Sequence, residues 1–198
     1  MNRIPHGLAV LLLVISVLAG CGSTPRSNHY LLTSGAADVP TGDSPSIGVG
    51  PVTVPEYLNR DPLVYRRSHN QLQISNEERW AEPLQDGITR VLALNLATQL
   101  NTGNVQAFPY HARRRPDVGV KLRVLRLDAE ASSARLVAEW LLYRPATGEA
   151  LERRLTTLQT AIDPGQDLPG QIPGAYSTLL WDLGEEIAAG IREINTPD

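Results

Sequence analysis

Side chains able to do covalent or acid–base chemistry are few in this chain and widely spaced. There is one cysteine, Cys21, and one lysine, Lys121, and the histidines beyond position 20 are His29, His69 and His111. No HExxH, GxSxG, SxxK or P-loop sequence occurs, and a single thiol cannot form a redox or metal-binding pair. Lys121 lies in an alternating strand pattern, where solvent exposure is expected and a Schiff-base role is not. The three histidines fall at a strand start and in two loops, so a metal site would need them to converge from far apart. Gly48-Val-Gly50 has two glycines of a dinucleotide fingerprint, but the third is missing and Pro55 ends the strand before any long helix. Glu77, Glu78 and Glu82 read as acidic residues ahead of a helix, favoured there by the helix dipole. No catalytic, metal-binding or cofactor-binding residue is therefore expected, and no cofactor. Arg113-Arg114-Arg115 and Arg66-Arg67 are the clear charge runs. They read either as solvated turns or as contacts with anionic lipid or an acidic partner, since guanidinium binds phosphate and carboxylate bidentately.

The residues around Cys21 give that thiol a different use. Residues 8–20, LAVLLLVISVLAG, form an apolar run behind Arg3 and His6. The run is short of the roughly 20 residues a bilayer span needs and has the length of a secretory leader core. It ends in Leu18-Ala19-Gly20-Cys21, which resembles the bacterial lipobox. That resemblance implies a leader at 1–20 and lipidation of Cys21, with a thioether-linked diacylglycerol and an acylated N-terminus. Each buried methylene contributes roughly 0.8 kcal/mol, so one chain binds marginally while several hold a protein in place. Gly22 and Ser23 follow, without the aspartate that retains lipoproteins at the inner membrane. The periplasmic leaflet of the outer membrane is thus the expected address, ahead of the inner membrane. Residues 21–28 form a short lipidated tether, reaching at most about 25 Å.

Without the leader, 198 residues less 20 leave 178, enough for one domain at 29–198. Loss of Arg3 leaves 17 basic against 21 acidic residues, a net charge of −4, which excludes non-specific nucleic-acid binding as the main work. His29–Thr33 and Ile47–Val54 read as strands, with Pro51 marking an edge or a bulge. Pro55 opens one helical turn at Glu56–Leu58, and Leu63–Arg67 with Gln71–Ser75 read as a hairpin. After Trp80, Leu84, Ile88, Val91, Leu92, Leu96 and Leu100 form a helical stripe, with Gly103 as its terminator. Asn104–Tyr110 is a short strand, followed by a basic turn. Val118, Val120, Leu122 and Val124 alternate with polar residues, as do Ala138, Trp140 and Leu142, and Glu149–Ile162 completes an antiparallel meander. Asp163–Pro173 reads as a loop. Tyr176, Leu179, Leu180, Leu183, Ile187, Ile191 and Ile194 then mark an amphipathic helix. Trp140 and Trp181 are expected in the core, while Trp80 either folds back on Leu84 or anchors a partner. The fold class is α/β: a single three-layer-like domain, a mixed sheet with a C-terminal antiparallel meander, flanked by two main helices.

The order of these segments resembles the PqiC/YmbA-type ABC-transport auxiliary lipoproteins. The residues that carry the resemblance are the lipobox, the Tyr30-Leu-Leu strand, Ile47-Gly-Val-Gly-Pro-Val-Thr-Val-Pro-Glu-Tyr-Leu-Asn-Arg60, Arg79-Trp-Ala-Glu-Pro-Leu84 and the helix with Arg90-Val-Leu. The late meander and terminal helix extend it over the whole chain after the leader. It implies a non-enzymatic lipoprotein of the outer membrane that docks a periplasmic MCE-domain protein of a lipid transport system. A homo-oligomeric ring or platform is a further expectation. Tyr57, Arg60, Trp80, Arg113, Arg114 and Arg115 are the candidate partner-binding residues. The alternative from a different class is a lipoprotein that itself binds lipid or another amphiphile between sheet and helices, and an envelope hydrolase is the third.

Overall fold

The computed structural model describes residues 26–36, 40–111 and 113–195. The expected leader, Cys21 and most of the tether lie outside the described residues. Among the described residues eight strands divide into two sheets. One has three strands in the order β1-β4-β3, with β1 Asn28–Tyr30, β3 Pro62–Ser68 and β4 Gln71–Trp80. The other has five in the order β5-β2-β6-β7-β8, with β2 Ile47–Thr53, β5 Val105–Ala107, β6 Val118–Glu130, β7 Ser133–Tyr143 and β8 Ala150–Ala161. Strand β2 is parallel to both β5 and β6, and β6, β7 and β8 form the expected antiparallel meander. Two helices, α1 Leu84–Gln99 and α2 Leu168–Asn195, pack on each other and on this sheet. The α/β class and the two-helix flank are as expected, but the strands split into two sheets rather than one.

Periodicity explains most of this. On β6, Val118, Val120, Leu122 and Val124 are buried while Lys121 and Arg123 are exposed; on β7, Ala134, Leu136, Ala138, Trp140 and Leu142 are buried. The buried set faces α1 and α2, which contribute Ile88, Val91, Leu92 and Leu96, and Tyr176, Leu179, Leu183, Ile187 and Ile191. Each such fully buried side chain stabilises the fold by about 1.5–3 kcal/mol. One core cluster runs from Leu32 to Ile191, so residues 26–195 hold all of it. Trp140 donates Nε1–H to Thr156 Oγ1 at 3.0 Å, and Thr156 donates to Glu186 Oε2 at 2.7 Å, so the largest buried ring keeps its polar edge satisfied.

Several boundaries differ from the sequence reading, each for a local reason. Glu77 and Glu78 are not helix-leading residues: β4 continues through them to Trp80, because β1 pairs with Glu78, Arg79 and Trp80. Strand β2 has the bulge suggested by Pro51, between Val49 and Val52, but it is interior rather than an edge. Helix α1 ends at Gln99, and Asn101, not Gly103, adopts the left-handed conformation (φ 49°) that turns the chain. The supposed loop at 163–173 ends early, since α2 begins at Leu168 with Asp167 Oδ2 accepting from Gly170 N–H at 3.2 Å. Pro173 lies inside α2 and forfeits one ladder bond, a loss the surrounding buried helix face outweighs. Trp181 is half-buried rather than core, lining a groove of about 390 Å³ with Gly35 and Ser177.

Candidate functional site

The block from Ile47 to Arg60 helps build an apolar groove of about 680 Å³ between β2, β5 and α1. Its strand side is Val49, Gly50, Pro51 and Val52, closed by Ala107 and Phe108; its helix side is Gln85, Asp86, Thr89, Arg90, Ala93 and Leu94. The bulge that shapes it needs Gly50, which sits at φ 113°, where a Cβ would also come within 2.9 Å of Phe108 Cβ. Gly48 is needed for another reason, because the Tyr110 ring and Pro116 lie directly over its Cα. Tyr110 donates its hydroxyl to Gly50 O at 3.0 Å, and burial with a bond to Tyr143 pushes its pKa well up, so it remains a donor at neutral pH. Phe108 packs edge-on against Tyr110, with ring centroids 5.5 Å apart, yet stays 49% exposed at the rim opposite Leu94, 46% exposed. Arg90 is already held, by Glu82 and by Leu32 O at 2.9 Å. The groove can take an apolar chain or side chain but offers no nucleophile with a base beside it.

A second constellation lies at the far end of β6. Asp128 is 2% exposed and accepts from Tyr57 OH at 2.9 Å, from Arg66 Nε at 3.0 Å and from Arg126 Nε. Tyr57 comes from the turn after Pro55 and Arg66 from β3, so the carboxylate ties the small sheet to the large one. Desolvation and the Asp128 charge raise the Tyr57 pKa from 10.0 to about 12. Tyr176, stacked on Trp80 at 6.2 Å, donates to Leu127 O at 3.2 Å from the helix side. With two guanidinium groups already satisfying it, Asp128 has the geometry of a clamp rather than of a general base.

The expected partner-binding residues do not converge. Tyr57 is engaged in the Asp128 cluster, and Arg60 is exposed just beyond the same turn. Trp80 must be corrected as a partner anchor: it is 7% exposed and stacks on Tyr176 in the core cluster that also holds Leu84, so its ring is spent on the core. Arg113, Arg114 and Arg115 are exposed on the loop before β6, where Arg115 reaches Ala146 O at 3.1 Å on the β7–β8 turn. Among the described residues no group of three or more His, Cys, Asp or Glu could hold a metal ion. The groove itself went unread from sequence. Its signal was Leu94, which falls off the buried stripe of α1, together with Phe108, the chain's one phenylalanine.

Comparison with known proteins adds what geometry alone does not. The family model described as "ABC-type transport auxiliary lipoprotein component" matches residues 30–188. The intermembrane transport lipoprotein PqiC of Escherichia coli K12 is 28% identical over 177 residues, covering 86% of this chain and 91% of that one. A crystal structure of an uncharacterised protein superposes with a TM-score of 0.67 at 22% identity, over 85% of this chain and 99% of its own. A Xanthomonas campestris structure gives 0.62 at 13% identity, over 86% and 98%. These two share the fold. Among the described residues no helix is long and apolar enough to cross a membrane.

Proposed function

Because the chain belongs to the family of ABC-type transport auxiliary lipoprotein components, we propose that it is a non-enzymatic accessory subunit of an intermembrane lipid transport system, anchored through Cys21 at the outer membrane. In this role it holds a periplasmic MCE-domain protein against that membrane, alone or as a homo-oligomeric platform. The observation that carries the reading is the family match over residues 30–188. The lipobox ending at Cys21 and the resemblance to PqiC support it further. Affinity capture from crosslinked envelopes tests it. An MCE-domain protein is expected to co-purify with the intact lipoprotein, and its consistent absence while the lipoprotein remains outer-membrane-bound overturns the docking role. Cys21→Ala is expected to abolish lipid labelling and membrane retention; unchanged labelling in that variant defeats the anchor.

A second reading has its own observation, the apolar groove of about 680 Å³ between β2, β5 and α1, a size in the range of small-ligand sites. There the domain would itself hold an acyl chain. Native mass spectrometry of the domain separated from its anchor is expected to show co-purifying lipid on this reading, and an unliganded mass after gentle purification excludes it.

A further inference from the structure

The five-stranded sheet turns one face to the helices and leaves the middle of the other bare. Strand register gathers Lys121 and Arg123 from β6, Arg135 and Glu139 from β7 and Arg153 from β8 on this open face. With Arg126, Asp128 and Glu130 from the same face of β6, five cations less three carboxylates make its charge +2, against −3 for the whole chain, so everything else sums to −5. The arginines are splayed rather than neutralised: Glu139 is shared between Arg123 at 3.2 Å and Arg153 at 3.3 Å, and Arg135 is steadied by a neutral partner, Gln159, at 2.8 Å. Lys121 rests its ammonium 4.5 Å from the centre of the Tyr143 ring. Between these charges stand Leu125, 42% exposed, and Leu155, 66% exposed.

We propose that this face is a docking surface for an anionic phospholipid membrane, its cations taking headgroup phosphates while Leu125 and Leu155 enter the interface. Charge complementarity is the first argument, since a +2 face on an acidic chain concentrates attraction on one side. Shape is the second. Lys121, Arg123 and Arg153 line a hollow of about 300 Å³ with Pro51, Thr53 and Glu139, while Arg135 stands apart along β7, so the face offers one seat for a phosphate and further cationic contacts beside it. A fluid surface of many phosphates fits such a layout. An acidic peptide could join the meander only along β8, its edge strand among the described residues, away from Lys121 and Arg123 on the interior strand β6. The inference stands on this face alone and does not depend on the lipid-transport role or on the anchor.

The test uses residues 26–198, which retain the entire described core, in flotation with phosphatidylcholine vesicles containing or lacking roughly 30 mol% phosphatidylglycerol. Binding is expected to be about tenfold tighter or more to the anionic vesicles and to vanish near about 0.5 M salt. Arg153→Glu and Arg123→Glu should each weaken it by about tenfold, whereas Arg192→Glu, on the helical side, should change it less than about twofold. Circular dichroism checks that the variants fold, and the salt titration of the wild type needs no variant at all. Equal binding to both vesicle types overturns the proposal, as does equal loss from Arg192→Glu. Capture by polyglutamate without vesicle binding also overturns it and assigns the face to an acidic protein.

Discussion

The two faces of the five-stranded sheet are made by the same strands and obey different chemistry. Facing the helices, Leu136, Ala138, Trp140 and Leu142 are all wholly buried. Facing away, their neighbours Arg135, Glu139 and Leu141 remain wholly or partly in water. Alternation therefore separates what holds the domain together from what it can present to others, with one residue of spacing between them. The outer face is not uniform, however. At the end of β6, Asp128 points outward in register with Arg135, yet it is 2% exposed because Tyr57 and Arg66 cover it.

That exception is the place to break the comparison. Asp128→Asn removes the buried carboxylate between Arg66 and Arg126, leaving them only the half-exposed Glu130 at 3.8 and 3.3 Å, and should cost about 3–5 kcal/mol in urea unfolding, as much as an inner-face truncation. A loss under about 1 kcal/mol would return Asp128 to the ordinary outer face. On the regular part of the sheet, Leu136→Ala should cost about 2–5 kcal/mol, since it opens a cavity under the helices. Tyr57→Phe removes one hydroxyl from the carboxylate and should cost about 1.5–3 kcal/mol at neutral pH. Its pH dependence has a definite sign. The folded pKa, about 12, lies above the ordinary 10.0, so the contribution is complete below pH 10 and disappears as pH rises through 12. Wild type and Tyr57→Phe should therefore converge in stability on the alkaline side alone. Smallest of all, Leu155→Ser on the open face should change stability by less than about 0.5 kcal/mol, and thermal melts would detect a larger loss.

The regular part of this comparison was legible before any coordinates. Val118 to Val124 and Ala138 to Leu142 announce their buried and wet faces by alternation, and the terminal stripe from Tyr176 to Ile191 announces a helix. The Asp128 cluster was not legible, because Arg66 and Tyr57 lie 62 and 71 positions away and only Arg126 is local. Glu77 and Glu78 misled because a polar strand and a helix-leading acidic stretch look alike until β1 is seen to pair with the former. The early start of α2 was hidden by Pro169, Gly170 and Pro173, residues whose loop preference the Asp167 cap and the buried helix face override. Of the candidate site residues, the arginines were found at the surface and Trp80 was not. The apolar groove needed Gly50's conformation and Phe108's position, which only the assembled strands reveal.

The position of α2 in the chain has a consequence for timing. Ile172, Tyr176, Leu179, Leu183, Ile187 and Ile191 are the lid over β6, β7 and β8, and they come after every strand in the sequence. A chain emerging N-terminus first from a ribosome or a translocation pore has made its whole meander before this cover exists. Until then Trp140 and Leu142 face water, and the sheet has no reason to close. The inner face of the meander is thus the last part of the core to be covered.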